Sequence, residues 1–293
     1  MLLRIVAIVF PLFAIVFFGW LYGRKKQPDM AFANQLNMEV FVPALVFAAM
    51  ADKSFDLAAN WGLAVGAVVG VVGSGLAGWG LARLLGSAPK TFVPPMMFNN
   101  CGNLGLPLAV LAFGDGALAP MVVLFMVSNL LHFSFGAWLL DHHTRLANLW
   151  RIPVVLASLA GLAVSLLHIP IWPPLKLAIK MLGDVSIPLL LFSLGVRLAG
   201  SSLSAVRVGL WGALARPLVG LLLAYATALA LGLEGQQKAL LVIFGALPPA
   251  VLNYVFAERY RQEPDQVASI VLLGNLAALL FLPLALALTL VLP

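Results

Sequence analysis

Charge is what this sequence of 293 residues has least of: Asp, Glu, Lys and Arg together make up 10% of it, against about 25% in a soluble domain. Cysteine is almost missing. Cys101 stands alone, so no disulfide closes within the chain, and with no CxxC pair and only four histidines a zinc site has nothing to build on. HExxH, GxSxG and the GxxxxGKS/T phosphate loop are all absent, and Gly114-Asp115-Gly116 reads as a short loop rather than a phosphate cradle. The 17 Lys and Arg outnumber the 11 Asp and Glu to give a net charge of +6, yet they are scattered singly or in small groups between apolar stretches. That pattern sets membrane topology and does not form a nucleic-acid surface. The expectation is a protein that is not an enzyme, needs no cofactor or metal, and does no ATP-driven work by itself.

In place of charge come long apolar runs. Hydrophobic residues make up 62% of the chain and the mean hydropathy is +1.05, so the fold class expected is an all-α membrane protein in the lipid bilayer. The runs fall near residues 2–22, 31–51, 61–86, 92–113, 117–140, 152–168, 176–199, 209–233, 238–257 and 267–291. At roughly 20 residues per spanning helix, ten helices use about 200 of the 293 residues and leave no room for a soluble domain. The first run lacks a small-x-small cleavage site and carries Arg24, Lys25 and Lys26 behind it rather than ahead, so it reads as a retained helix and not a secretory signal. Sorting Lys and Arg by loop puts eleven on one side, Arg145 among them, and five on the other, Lys53 among them, with Arg216 left inside the eighth run. Basic residues accumulate on the cytoplasmic side, which places both termini on the other side of the inner (plasma) membrane.

The chain also resembles itself. A shift of 146 residues aligns Leu85-Gly86 with Leu231-Gly232, Phe98 with Phe244 and Asn129-Leu130 with Asn275-Leu276, and a shift of 145 aligns Glu39 and Pro43 with Asp184 and Pro188. Five helices per repeat is an odd number, so the second copy enters the membrane from the opposite side. The expected organisation is two inverted five-helix repeats, residues 1–146 and 147–293, an arrangement typical of secondary transporters with a site at the repeat interface.

The fourth run reads Asn99-Asn100-Cys101-Gly102-Asn103-Leu104-Gly105-Leu106-Pro107. Three amides in a span must face protein, water or a ligand, because an unpaired amide costs on the order of 4–8 kcal/mol in a medium that cannot hydrogen-bond. Pro107 leaves the carbonyl of Asn103 without its helical partner, and Gly102 and Gly105 let the backbone unwind, so the helix is expected to break here. In the ninth run Pro248 and Pro249 free the carbonyls of Phe244 and Gly245, which predicts a second break. The half-helices that follow would aim their N-terminal dipoles at one place from opposite directions, which favours an anion, with Asn99, Asn100, Asn103 and Asn253 supplying hydrogen bonds. The competing reading is that these small and polar residues only join helices together.

Glu39 and Asp184 are the symmetric acids and the candidates for ion or proton coupling, with an interfacial carboxylate as the alternative. Arg216 is either a counter-charge for the anion or a snorkelling residue, depending on whether its helix starts near Ala205 or Trp211. His132, Asn129 and Asn275 read as packing contacts.

The Asn99 to Pro107 stretch resembles the N-x-G-N-x-G-x-P segment of the auxin efflux carrier family, and Pro248 to Tyr260 looks like that family's ninth-helix segment. Pro188-Leu189-Leu190-Leu191-Phe192-Ser193-Leu194-Gly195 is similar to its seventh-helix pattern, so the resemblance covers essentially the whole chain. It implies a ten-helix inverted-repeat fold, shared with plant PIN carriers and bile-acid sodium symporters, whose helices 4 and 9 are broken and cross at the substrate site. The short join from Asp141 to Arg151 looks like the bacterial branch, whose members carry malonate, malate or similar carboxylates. The function expected is therefore a secondary transporter for a small organic anion, working by an elevator-like or rocking shift, with proton or sodium as coupling-ion candidates and a homodimer as a candidate assembly. A sodium-coupled symporter of the bile-acid type and an anion-binding channel or receptor are the alternatives.

Overall fold

The computed structural model describes residues 1–51, 58–141, 151–200 and 203–290. Lys53, Arg145, the rest of the join between residues 142 and 150, and residue 291 at the end of the last run lie outside the described residues. Within them the chain is helical, and its extended pairing is one isolated antiparallel bridge between Asn99 and Pro249.

The helices are α1 (Leu2–Lys26), α2 (Ala31–Met50), α3 (Trp61–Leu85), α4 (Pro89–Met97), α5 (Cys101–Phe113), α6 (Asp115–Leu140), α7 (Pro153–Leu166), α8 (Pro173–Ala199), α9 (Val206–Ala230), α10 (Gly235–Ala246), α11 (Leu252–Arg259) and α12 (Pro264–Leu290). Seven of them, α1, α2, α3, α6, α8, α9 and α12, are long and apolar enough to cross a membrane. Two expected runs are instead split, into α4 with α5 and into α10 with α11. Helix ends follow local chemistry. α1 runs on through Arg24, Lys25 and Lys26, which complement the negative end of a helix, and stops at Gln27 in a left-handed turn (φ 45°). α8 opens on Pro173, where the missing N–H is one that no helix would use.

Packing divides the helices into two groups. In one, α2 packs on α7 and α8, and α1 lies along α8. A Cβ placed on Gly19 would strike the Phe192 backbone and one on Gly195 the Val16 backbone, so α1 and α8 touch main chain to main chain. In the other, α9 packs on α3, α10 and α12, while α3 packs on α4 and α6. Where α5, α6 and α10 meet, Leu106, Leu108, Met121, Leu124, Leu240 and Phe244 are fully buried. The outer faces are the reverse of a soluble protein's: Leu84 is 84% exposed and Leu222 71%, which is unfavourable in water and neutral in hydrocarbon.

Candidate functional site

The interruption between α10 and α11 arises locally. Pro248 and Pro249 have no N–H and push the residue before them to extended backbone, so α10 stops at Ala246 and Leu247 takes ψ 141°. The carbonyls left bare are those of Phe244 and Gly245, and each finds a donor. Asn99 Nδ2 donates to the Phe244 oxygen at 2.6 Å, and Arg216 Nη1 donates to the Gly245 oxygen at 3.0 Å. Arg216 reaches that oxygen because Gly220, one turn further along α9, meets Gly245 backbone to backbone; a Cβ on either glycine would collide with the other's carbonyl. α9 begins at Val206, the earlier of the two starts considered, and Arg216 is 1% exposed.

The interruption between α4 and α5 falls at Phe98–Asn100, well ahead of Pro107, where the break is expected from sequence. Its position is set by the partner strand. Asn100 N–H donates to the Pro248 carbonyl at 2.8 Å and Ala250 N–H to the Phe98 carbonyl at 2.8 Å, so the two interruptions cross and pair. Pro107 sits instead in the second position of the α-helical part of α5, after a π-turn over Cys101–Gly105 in which Leu106 N–H reaches the Cys101 carbonyl. The wider turn makes room for a proline ring that would otherwise press on the carbonyl four residues back. Gly102 and Gly105 are not unwound. A Cβ on Gly105 would lie 2.6 Å from Met121 Cε, which makes it a packing position.

The amides tie the crossing together. Asn253 Nδ2 donates to the carbonyls of Phe98 (3.0 Å) and Ala250 (2.9 Å). Asn100 Nδ2 donates to Asn275 Oδ1 at 3.0 Å, and Asn275 passes its own N–H groups to the carbonyls of Pro249 (3.1 Å) and Val271 (2.8 Å). Asn275, read from sequence as a packing contact, is thus part of the crossing. The side-chain oxygen of Asn99 stays buried with no partner.

Beside the crossing lies a cavity of about 300 Å³, lined by Asn99, Asn100, Gly102 and Asn103, by Asn129 and His132 of α6, and by Asn37, Ser193 and Arg197 of α2 and α8. Its lining contains one formally charged side chain, Arg197, and no Asp or Glu. α5 and α11 both begin at the crossing, and their first residues line the cavity, so two positive helix ends border it. The described chain has three π-turns, at Asn37–Phe41, Cys101–Gly105 and His132–Gly136, and each contributes lining residues; such turns rotate side chains out of helical register and recur at functional sites. His132 stacks on Phe98 with ring centroids 4.0 Å apart and meets Phe256 edge-on at 4.9 Å.

Gly105, Pro107, Pro248, Pro249, Asn253 and Arg216 do not line this cavity. Nor do the two acids. Glu39 is exposed and accepts from Gln35 Nε2 at 3.0 Å. Asp184 is also exposed, pairs with Lys180 at 2.9 Å, and borders a separate cavity of about 800 Å³ together with Lys176 and Asp115. Sequence reasoning missed Asn37, Ser193 and Arg197. The rule that flags an amide inside a span applies to Asn37 as well as to Asn99, whereas Arg197 looks like any loop cation until α8 is seen to carry it to the cavity.

The profile of a family described as membrane transport protein matches residues 4–144 and again residues 142–286. The chain belongs to the auxin efflux carrier family. Two carriers of Arabidopsis thaliana, "Auxin efflux carrier component 6" and "Auxin efflux carrier component 2", are 29% and 30% identical over 136 and 141 residues, 44% of this chain in each case. The matched stretches are 24% and 21% of those carriers, so the chain spans about a quarter or less of their length. The "Putative malonate transporter" of Rhizobium meliloti (strain 1021) is 24% identical over 296 residues, covering 93% of this chain and 92% of the relative. The family is one of membrane transport proteins and not of enzymes, and with seven helices of spanning length among the described residues this chain is a multi-pass membrane protein.

Proposed function

We propose that this member of the auxin efflux carrier family is a secondary transporter that moves a small organic anion, a mono- or dicarboxylate such as malonate or malate, across the inner membrane by alternating access. The observation that carries this reading is the cavity at the crossing, where the one charged side chain is a cation and two helix N-termini add positive potential. The relative named for malonate, matched along nearly the whole chain, supports the carboxylate. In this reading α4 with α5 completes one span, α10 with α11 completes another, and α7 makes the tenth. Residues 1–146 and 147–293 are then the two inverted repeats, in keeping with a family profile that matches once in each half. The stroke is a shift of the α1, α2, α7 and α8 group against the group that holds the crossing.

Asn99, Asn100, Gly102 and Asn103 receive the anion. Asn253, Pro248, Pro249, Gly105 and Pro107 keep the crossing in shape, and Arg216 acts through the Gly245 carbonyl that it holds. Glu39 and Asp184, exposed and outside the lining of the cavity, fit interfacial carboxylates better than carriers of a coupling proton.

A sodium-coupled symporter is the second reading, favoured by the unpartnered oxygen of Asn99, which suits a cation. The test is counterflow in proteoliposomes preloaded with unlabelled mono- and dicarboxylates, following labelled malonate with and without sodium. Wild type should show saturable counterflow, and Asn103→Ala should lose at least tenfold while eluting as folded protein. Absence of counterflow across the whole panel would overturn the carrier reading.

A further inference from the structure

The wall of the cavity that faces the crossing carries polar groups whose hydrogen bonds are unmet. Asn37 is 1% exposed and neither its Nδ2 nor its Oδ1 has a partner; Ser193 is 8% exposed and its Oγ has none. Burying such groups without partners is costly, and nothing in the local helix demands them. Asn37 opens the π-turn of α2, which displaces it from the helical row it would otherwise occupy. Both residues line the 300 Å³ cavity. Ser193 also lines an adjoining cavity of about 460 Å³, shared through Asn34 and Arg197 and bordered by Pro28 and Met30 beyond the end of α1. It therefore stands between the two cavities.

We infer that Asn37 and Ser193 are a second binding wall for the cargo, holding an oxygen-bearing end of the organic anion opposite the end held at the crossing. The inference rests on the carrier reading above. Nδ2 and the Ser193 hydroxyl donate to a carboxylate oxygen, while Asn37 Oδ1 accepts from a hydroxyl or a water carried with the anion. The wall belongs to α2 and α8 and the crossing to the other helix group, so an anion held by both is bound with an affinity that depends on how the groups stand relative to each other. A ligand shifts a conformational equilibrium only through such a difference.

The experiment uses full-length protein and two variants that keep side-chain shape while removing polarity, Asn37→Leu and Ser193→Ala. Three readouts are compared with wild type: the melting midpoint without ligand, its shift on adding malonate or malate, and the KM and maximal rate of counterflow. The expected result is a ligand-free midpoint no lower than wild type, loss of the carboxylate-induced shift, and KM raised at least tenfold with the maximal rate within threefold. KM and shift within twofold of wild type would overturn the inference. So would a midpoint that falls together with transport, since that is the behaviour of a packing residue. Should Asn37→Leu fail to fold, Ser193→Ala carries the test alone. A malonate shift in wild type without counterflow overturns the carrier reading and leaves the wall standing; neither signal in wild type overturns both.

Discussion

The two interruptions occupy corresponding places in the chain and work by opposite chemistry. Between α10 and α11, prolines create a need by leaving the Phe244 and Gly245 carbonyls bare; between α4 and α5, asparagines supply donors, and Asn99 takes the first of those carbonyls. The second interruption answers in kind when Asn253 donates to the Phe98 carbonyl. A broken helix in an apolar medium must satisfy its own backbone before it offers anything to a ligand. Most of the amide N–H groups at the crossing are therefore already committed, and what remains for an anion is the half-exposed Asn103, the second N–H of Asn99 and of Asn100, and the helix ends.

The comparison can be broken in order of severity. Gly220→Leu would force a side chain into the Gly245 backbone and push Arg216 off its carbonyl; the expected outcome is no folded, monodisperse protein by size-exclusion chromatography, and a wild-type elution profile would refute the close contact. Replacing Pro248 and Pro249 together by alanine restores two N–H groups, so α10 should extend through the crossing. Counterflow should then fall at least tenfold with helical content by circular dichroism undiminished, and preserved counterflow would show that the interruption is dispensable. Asn99→Ala leaves the Phe244 carbonyl uncapped, at a cost of about 1–3 kcal/mol, read as a melting midpoint lower by several degrees; an unchanged midpoint would mean that the 2.6 Å bond contributes nothing. The smallest effect belongs outside the crossing. Asp184→Asn removes an ion pair whose side chains are 58% and 57% exposed, so stability should change by less than about 1 kcal/mol and the pH profile of uptake should stay the same. A flattened profile would return Asp184 to proton coupling.

The second interruption was legible in the sequence because proline acts on its own neighbours. Counting four residues back from Pro248 and Pro249 names the two bare carbonyls without any knowledge of the fold. The first interruption was only half legible: its polar residues were visible, but its position depends on pairing with residues some 150 positions later in the chain, as the Asn99–Pro249 bridge shows. Arg216 was undecided for a similar reason, since its depth follows from where α9 starts and its partner lies on another helix. The helices of spanning length could be read from hydropathy alone. The facing of Asn37, Ser193 and His132 could not, because a π-turn shifts the register that periodicity assumes, and two of these three residues sit in such turns.

Where Gly220 faces Gly245 there is no side chain between the two main chains to roll or yield. A slip of α10 by one helical turn, about 5.4 Å, would bring Leu241 to the point now occupied by Gly245 and drive it into the α9 backbone. At the α1–α8 contact the case is different, because Gly23 stands one turn from Gly19 and could take its place against the Phe192 backbone without a side chain intervening. The α9–α10 seam therefore resists sliding in a way that the α1–α8 seam does not. The expectation for a molecule that moves its helix groups is that α9, α10 and the crossing joined to them through Gly245 stay together.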